Sequence, residues 1–305
     1  MIVLGERHTF DAREREELQK YFDSIDTITY RDSTPGEVIA RIDTLLNRQT
    51  KSIIVLNTAA RIPDELLRYL TKLEQRGITY ISIENFLEKY LKKCYIPADQ
   101  TSADFLEKIK PYNPFYLSIK ITEDLLSILA LSVFAIPVGL YSAWRIKKES
   151  PGSVFFRQTR VGKNGRKFTC YKFRSMHENS HHDPYTREND SRIFPWGETM
   201  RKLRIDELPQ LWNVLKGDMH LIGPRAEWEI LVENYEKEIP YYNVRHTVRP
   251  GITGWAQVNY PYGANAEDAR QKLMYDLYYI KHWNPVLELK TIWKTVMVVI
   301  GKKGL

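Results

Sequence analysis

The sharpest chemical pattern in this chain is a pair of adjacent carboxylates preceded by two arginines: Arg201-x-x-Arg204-Ile205-Asp206-Glu207-Leu208-Pro209-Gln210. Proline is tolerated in a helix only in the first turn, so a short amphipathic helix is expected to begin close to Asp206. It should run over 206–216 and stop at Gly217. Free backbone N–H groups and the dipole at such a start favour anions. Neighbouring helical side chains point roughly 100° apart, so the two carboxylates cannot flank one bond from opposite sides. They can divide labour instead, one as nucleophile and the other holding a metal ion or a proton. Taken alone, the plainer reading is better: Asp206 as a helix cap in an ordinary acidic first turn.

Other residues shift that balance. Leu221-Ile222-Gly223-Pro224-Arg225 presents an arginine on a tight turn, and Arg249-Pro250-Gly251-Ile252-Thr253-Gly254-Trp255 does so again. In Tyr171-Lys172-Phe173-Arg174 the two cations are two residues apart, on one face of an expected strand. Several arginines on rigid turns near paired carboxylates suit bidentate binding of a diphosphate. Phosphoryl chemistry is then favoured over a random charged surface.

The elements that must position these residues are bounded by composition. The chain has 305 residues, 43% hydrophobic and 27% charged, which excludes a disordered or low-complexity chain and permits one to three domains. Its net charge of +7 is concentrated: between Arg145 and His177 ten Lys or Arg face Glu149 alone among acids. Such a stretch could meet nucleic acid, an anionic membrane or phosphorylated substrates, or be a solvated face. Cys94 and Cys170 lie far apart with no ligand-spaced partner, so neither a disulfide framework nor a zinc site is expected and a reducing compartment is favoured. The start, MIVLGERHTF, lacks a secretory pattern, and the first domain is expected to stay inside the cell.

Residues 1–98 read as a small parallel α/β domain, regulatory or structural. Buried strands are expected at Ile2–Leu4, Ile53–Leu56 and Ile78–Ile81, with helices over 11–23, 36–48 and 63–76. No glycine-rich fingerprint follows the first strand, so a nucleotide site there is not expected. Residues 99–114 read as a linker. Leu125 to Ala143 carries nineteen residues without a charge, a membrane-segment candidate interrupted at Pro137. A buried core helix is the alternative. Basic Arg145, Lys147 and Lys148 place the following flank in the cytoplasm. Keeping both ends on that side calls for a re-entrant helix over 115–148 that breaks at Pro137, with Ser132 as a candidate to satisfy the freed carbonyl. Residues 149–305 then form an irregular α/β catalytic domain with amphipathic interfacial helices. Within it, strands are expected at Val154–Phe156 and Phe168–Phe173, a hairpin turn at Gly162–Lys167 and a helix over 266–281. The tail, 287–305, puts Leu289, Ile292, Trp293, Val296 and Ile300 on one face, for a membrane interface or for the core. His181-His182-Asp183 reads as a surface loop before a metal cluster.

The blocks Ser150-Pro151-Gly152, Phe155-Phe156-Arg157-Gln158, Tyr171-Lys172-Phe173-Arg174-Ser175-Met176, Asp206-Glu207-Leu208-Pro209-Gln210-Leu211-Trp212-Asn213-Val214-Leu215-Lys216-Gly217-Asp218-Met219, Leu221–Arg225 and Arg249–Asn259 resemble, in order, the bacterial sugar transferases. These are monotopic phosphoglycosyl transferases of exopolysaccharide and O-antigen synthesis, and the resemblance covers about residues 115–305. It implies an enzyme of the bacterial inner membrane, on its cytoplasmic face, that moves a sugar 1-phosphate from a UDP-sugar to undecaprenyl phosphate and releases UMP. It also implies a Mg²⁺ requirement, a helix broken at a proline matching Pro137, and a ping-pong mechanism. By the same resemblance Asp206 is the nucleophile, Glu207 sits at the Mg²⁺ or the phosphate, Arg201 and Arg225 bind phosphate, and Lys172 matches a functional lysine. Arg249, read from its turn, joins the phosphate-binding set. Nucleic acid is not an expected partner, and the first domain could mediate a homodimer. The sequence departs from the family pattern at Ile136, His220, Ala226 and Ser153. The rival reading is a non-enzymatic membrane scaffold, which has no need of Asp206-Glu207 or the arginine turns.

Overall fold

The computed structural model describes residues 1–29, 33–47, 53–58, 62–97, 103–178, 190–261, 263 and 265–301. The chain divides into two compact units, Met1–Tyr95 and Ile96–Leu305.

In the first unit four parallel strands, β1 (Ile2–Leu4), β2 (Asp26–Ile28), β3 (Ile53–Leu56) and β4 (Thr79–Ser82), pair in the order β2-β1-β3-β4. β1 and β3 are the central strands, and their unbroken apolar sequences match burial on both faces. Helices Ala12–Leu18 and Pro35–Leu46 start at capping boxes, Asp11 with Glu14 and Thr34 with Glu37. Helix Asp64–Gln75 completes the alternation and buries Leu66, Leu70 and Leu73. Those leucines pack with Ile2, Leu4, Ile42 and Ile54 into one core. β2 has a single buried residue, Ile28, which is why no strand signal stands out there in the sequence.

The second unit begins with the helix Ala103–Lys108. The Phe105 ring lies 4.7 Å from that of Tyr241, and Tyr112 lies 5.2 Å from Trp283, so this stretch is packed on the unit and not extended away from it. A long helix, Pro114–Glu149, follows, with Asn113 capping Tyr116 N–H. The expected break at Pro137 does not interrupt it: helical structure continues across the proline. Proline withholds one N–H from the i→i−4 ladder, and the bonds on both sides carry the helix past that single gap. The Ser132 hydroxyl does not compensate for the gap. It donates to Leu129 O at 2.7 Å, one turn toward the N-terminus.

Both ends of this helix are fixed to the same unit. Near the start, the Lys120 ammonium is fully buried in an ion pair with Glu288. Asp124 accepts from Leu221 N–H at 3.0 Å and meets His220 Nδ1 at 2.5 Å. Near the end, Ile146 packs with Phe173, Phe194 and Met200, and Glu149 accepts from Trp196 N–H at 2.7 Å. Between these anchors Ile128 is buried against Val214 and Met219, but much of the apolar surface is bare: Leu129, Val133, Phe134 and Leu140 are each more than two-thirds exposed.

The remainder is irregular. β5 (Phe155–Val161) and β6 (Lys167–Phe173) form an antiparallel hairpin whose turn uses Asn164 and Gly165 at positive φ. β7 (His220–Ile222) and β8 (Gly251–Thr253) are a short parallel pair. The helix expected over 266–281 spans Ala266–His282, and the last helix, Pro285–Ile300, is capped by Asn284. Leu287, Glu288 and Thr291 of the last helix face inward, while Leu289, Trp293 and Ile300 are about two-thirds exposed. Its apolar face is therefore not core.

Candidate functional site

Asp206 and Glu207 do not open an α-helix. They lie in a 3₁₀ turn, Ile205–Glu207, and the α-helix starts only at Gln210 and ends at Leu215. Arg204 precedes the turn at φ +57°. A left-handed residue redirects the chain between helix Pro195–Lys202 and this turn, so the carboxylates point into the unit. Ile205 and Leu208 pack with Phe173, Phe194 and Met200, which holds the turn down from both sides. Gly217, at φ +78°, ends the short helix as its place in the sequence suggested.

Both carboxylates are buried, 8% and 5% exposed, yet their surroundings differ. Glu207 Oε1 accepts from Lys172 Nζ at 2.9 Å, and the Arg225 NH1 and NH2 groups stand 3.4 Å away. Arg204 is a third cation, at 3.7 Å. Asp206 Oδ1 is buried with no hydrogen-bond partner among the described residues. The protonation equilibria are driven apart accordingly. Burial pushes the Asp206 carboxyl above the usual carboxylate range, and the neighbouring Glu207 charge adds to this against the pull of Lys172, Arg201 and Arg204. Burial acts upward on Glu207 as well, but Lys172, then Arg225 and Arg204, outweigh it and hold Glu207 well below that range. Two adjacent carboxylates with opposed shifts are suited to two roles.

A second layer fixes the cations. Arg245 donates to Arg225 O at 3.0 Å, to Asp276 at 2.7 Å and to the Tyr242 hydroxyl at 2.6 Å. Arg160 donates to Ala226 O at 2.9 Å and lies 3.9 Å from Glu227. Arg160, Lys172 and Arg225 converge with Gln210 on a cavity of about 10 Å³, room for about one water. Phosphate oxygens would have to meet these cations at their open side or displace Glu207 from them.

The fold thus brings Asp206, Glu207, Lys172, Arg225 and Arg201 together, Arg201 acting on Asp206 through its charge. Arg249 is placed elsewhere. Its guanidinium lies 3.6 Å from where a Cβ on Gly217 would stand, at the far end of the short helix. Arg174 does not share its face with Lys172 toward the carboxylates; it is buried and donates to Ser153 O and to both oxygens of Ser150, locking the end of the long helix. It follows the last residue of β6, where strand alternation no longer applies. His181-His182-Asp183 lies outside the described residues, as does its metal alternative. Arg204 stood in the motif without a role, and Arg160 was one cation among ten in the basic stretch. The Arg245–Asp276 pair, 31 residues apart, left no local signal.

No group of three or more His, Cys, Asp or Glu side chains among the described residues could hold a metal ion unaided. A hard cation such as Mg²⁺ commonly takes one or two carboxylates and completes its shell with water and substrate phosphate. The orphaned Asp206 Oδ1 beside Glu207 fits that mode of binding.

Two buried carboxylates ringed by cations, next to a long apolar helix, define an anion-handling site. The sequence profile described as bacterial sugar transferase matches residues 115–302, and the chain belongs to that family. It is 48% identical over 195 residues to the UDP-N-acetylgalactosamine-undecaprenyl-phosphate N-acetylgalactosaminephosphotransferase of Aeromonas hydrophila, covering 63% of this chain and 46% of that one. It is 40% identical over 196 residues to the UDP-glucose:undecaprenyl-phosphate glucose-1-phosphate transferase of Xanthomonas campestris pv. campestris, covering 63% and 40%. A protein of the latter name from Caulobacter vibrioides is 36% identical over 208 residues, covering 66% and 78%. The matched part spans less than half the length of the first two relatives.

Proposed function

We propose that this protein transfers a sugar 1-phosphate from a UDP-sugar to undecaprenyl phosphate, releasing UMP, in a first membrane step of exopolysaccharide, capsule or O-antigen assembly. The observation that carries the reading is the contrast between Asp206, whose Oδ1 is unengaged, and Glu207, which is held ionised by Lys172 and Arg225. A carboxylate with an upward-shifted pKa is the better nucleophile of the two. Asp206 attacks the sugar-bearing phosphorus, the bond from that phosphorus to the UMP oxygen breaks, and UMP leaves with the electron pair. An oxygen of the polyprenyl phosphate then attacks the aspartyl phosphate and the Asp206 carboxylate is restored. Lys172, Arg201, Arg204 and Arg225 neutralise the diphosphate, without which attack of one anion on another is slow. Mg²⁺, held by Asp206 and Glu207 together with phosphate oxygens, would supply further charge neutralisation. The donors and acceptor named in the relatives above support this class of substrates.

A re-entrant placement is supported by the anchoring of the long helix. If straight, its 36 residues would extend over about 54 Å, long enough to cross a bilayer by length alone. Yet Lys120 and Ile146, at its two ends, are both buried in one polar unit, which a bilayer could not admit between them. A helix bent at Pro137, with its ladder continuing on both sides of the bend, would instead dip into one leaflet and return. The cytoplasmic face of the inner membrane suits the basic flank Arg145, Lys147 and Lys148. Purified full-length chain in nanodiscs, given undecaprenyl phosphate, Mg²⁺ and a panel of UDP-sugars, should release UMP from at least one of them. Near-normal release by Asp206→Asn would overturn the assignment.

A further inference from the structure

β6 pairs with β5 alone, so its other edge has no strand partner among the described residues. Asn213, of the short helix Gln210–Leu215, occupies that edge with its side chain. Its Oδ1 accepts from Tyr171 N–H at 3.1 Å, and its Nδ2 donates to Thr169 O at 2.7 Å. One carboxamide thus takes the place that a residue of a parallel third strand would hold, opposite Cys170. Asn213 is fully buried and is itself fixed from the end of its helix. Its Nδ2 also donates to Asp218 Oδ2 at 3.2 Å, and its carbonyl accepts from Asp218 N–H at 2.9 Å.

The two segments that Asn213 joins carry the two halves of the site. On the strand, Cys170 and Lys172 alternate onto the face opposite to Tyr171, and both line the small cavity with Arg225. Lys172 directly follows the clamped stretch 169–171, and its ammonium reaches Glu207 from there. On the helix side, Leu208 N–H donates to Ile205 O at 3.1 Å and Leu211 N–H to Leu208 O at 3.0 Å, which makes the carboxylate turn and the helix of Asn213 one continuous piece. A lysine ammonium stands on a flexible four-carbon stem, so its place depends on how firmly the backbone beneath it is held. A slip of one residue along β6 would turn Lys172 to the other face. We propose that Asn213 is a positioning residue: it locks β6 to the carboxylate segment in one register and so holds Lys172 at Glu207; its effect on turnover rests on the transfer reading above. The Asn213 amide touches neither carboxylate and acts through Lys172.

The test uses the full chain in nanodiscs with Mg²⁺, undecaprenyl phosphate and a UDP-sugar, reading kcat, both KM values and the melting temperature. Asn213→Ala removes every bond of the amide. Asn213→Asp is isosteric, keeps the acceptor for Tyr171 N–H and sets an oxygen against Thr169 O, and it carries both readouts if the alanine variant does not fold. Each variant should lower kcat per folded protein about tenfold or more, with both KM values within about threefold of the unaltered chain. A lowered melting temperature with kcat per folded protein unchanged makes Asn213 structural only and overturns the proposal. A second comparison needs no turnover. The shift in melting temperature caused by Lys172→Met should shrink to less than half in the Asn213→Asp background, because the pair it breaks is already loosened there. Equal shifts in both backgrounds overturn the proposal even where kcat falls. Absence of UMP release from every UDP-sugar by the unaltered chain overturns the transfer reading, and the melting comparison then decides the placement of Lys172 by itself.

Discussion

Lys172 Nζ donates to Glu207 Oε1 at 2.9 Å, joining the second strand of a β-hairpin to a carboxylate 35 residues further along the chain. The neighbouring Asp206 keeps a buried Oδ1 that accepts no hydrogen bond among the described residues. Glu207 is thereby held as a fixed anion, Asp206 is the reactive carboxylate of the proposed transfer, and that asymmetry has measurable consequences.

Asp206→Asn should abolish UMP release while raising thermal stability. An Asp pKa raised by burial means the folded state disfavours the ionised form, a cost present at neutral pH and relieved as pH falls through the folded value. The amide removes that cost. Thermal melts of both proteins at pH 7 check the direction, and a lower melting temperature for the variant would contradict it.

Glu207→Gln acts in the opposite sense. A depressed carboxyl pKa contributes stability above the unfolded value of about 4.3, and that stability is lost only as pH falls through the folded value. Removing the charge at pH 7 leaves Lys172 and Arg225 without their partner and should cost about 3 kcal/mol. Urea titration measures it. The acid limb of kcat/KM in the unaltered protein should fall above the ordinary aspartate range, because Asp206 must ionise to attack.

Lys120→Met should destabilise the second unit by about 3–5 kcal/mol, since Glu288 would remain buried with, among the described residues, the Tyr279 hydroxyl and Trp283 Nε1 as donors, at 2.7 and 2.9 Å. A cooperative thermal transition lowered by several degrees, recovered in part by pairing the change with Glu288→Gln, is the expected outcome.

Trp293→Glu and Leu289→Glu, on the exposed face of the last helix, should change stability by no more than about 0.5 kcal/mol. Both should nevertheless weaken sedimentation with anionic vesicles, because that face is where membrane contact is expected. Unchanged vesicle binding would remove the helix from the membrane interface.

Cysteines placed at Lys20 and Lys163 should label equally from one side of the membrane in intact cells. Opposite accessibility would replace the re-entrant helix by a spanning one.

The motif residues were legible because they are local. Asp206 and Glu207 are neighbours, Gly217 punctuates their helix, and the apolar run at 125–143 needs only counting. Their partners were less so. Arg249 looked equivalent to Arg225, each on a tight turn, but β7 and β8 run parallel and send the two guanidinium groups to different places. Arg174 looked like a companion to Lys172 and became instead the clamp on the long helix. Pro137 looked like a break, and a helix anchored at both ends by buried Lys120 and Ile146 runs through it.

By itself the sequence determined which residues could carry phosphoryl chemistry, that an apolar segment stands before them, and that a small parallel α/β domain precedes both. Periodicity, turn chemistry and residue type act over a few positions, and those features need nothing longer. The tertiary structure alone decided that Glu207 is the carboxylate paired with Lys172 and Arg225, while Asp206 Oδ1 accepts no hydrogen bond among the described residues. Burial and long-range ion pairing set those outcomes, and both depend on segments that meet only when the chain is folded.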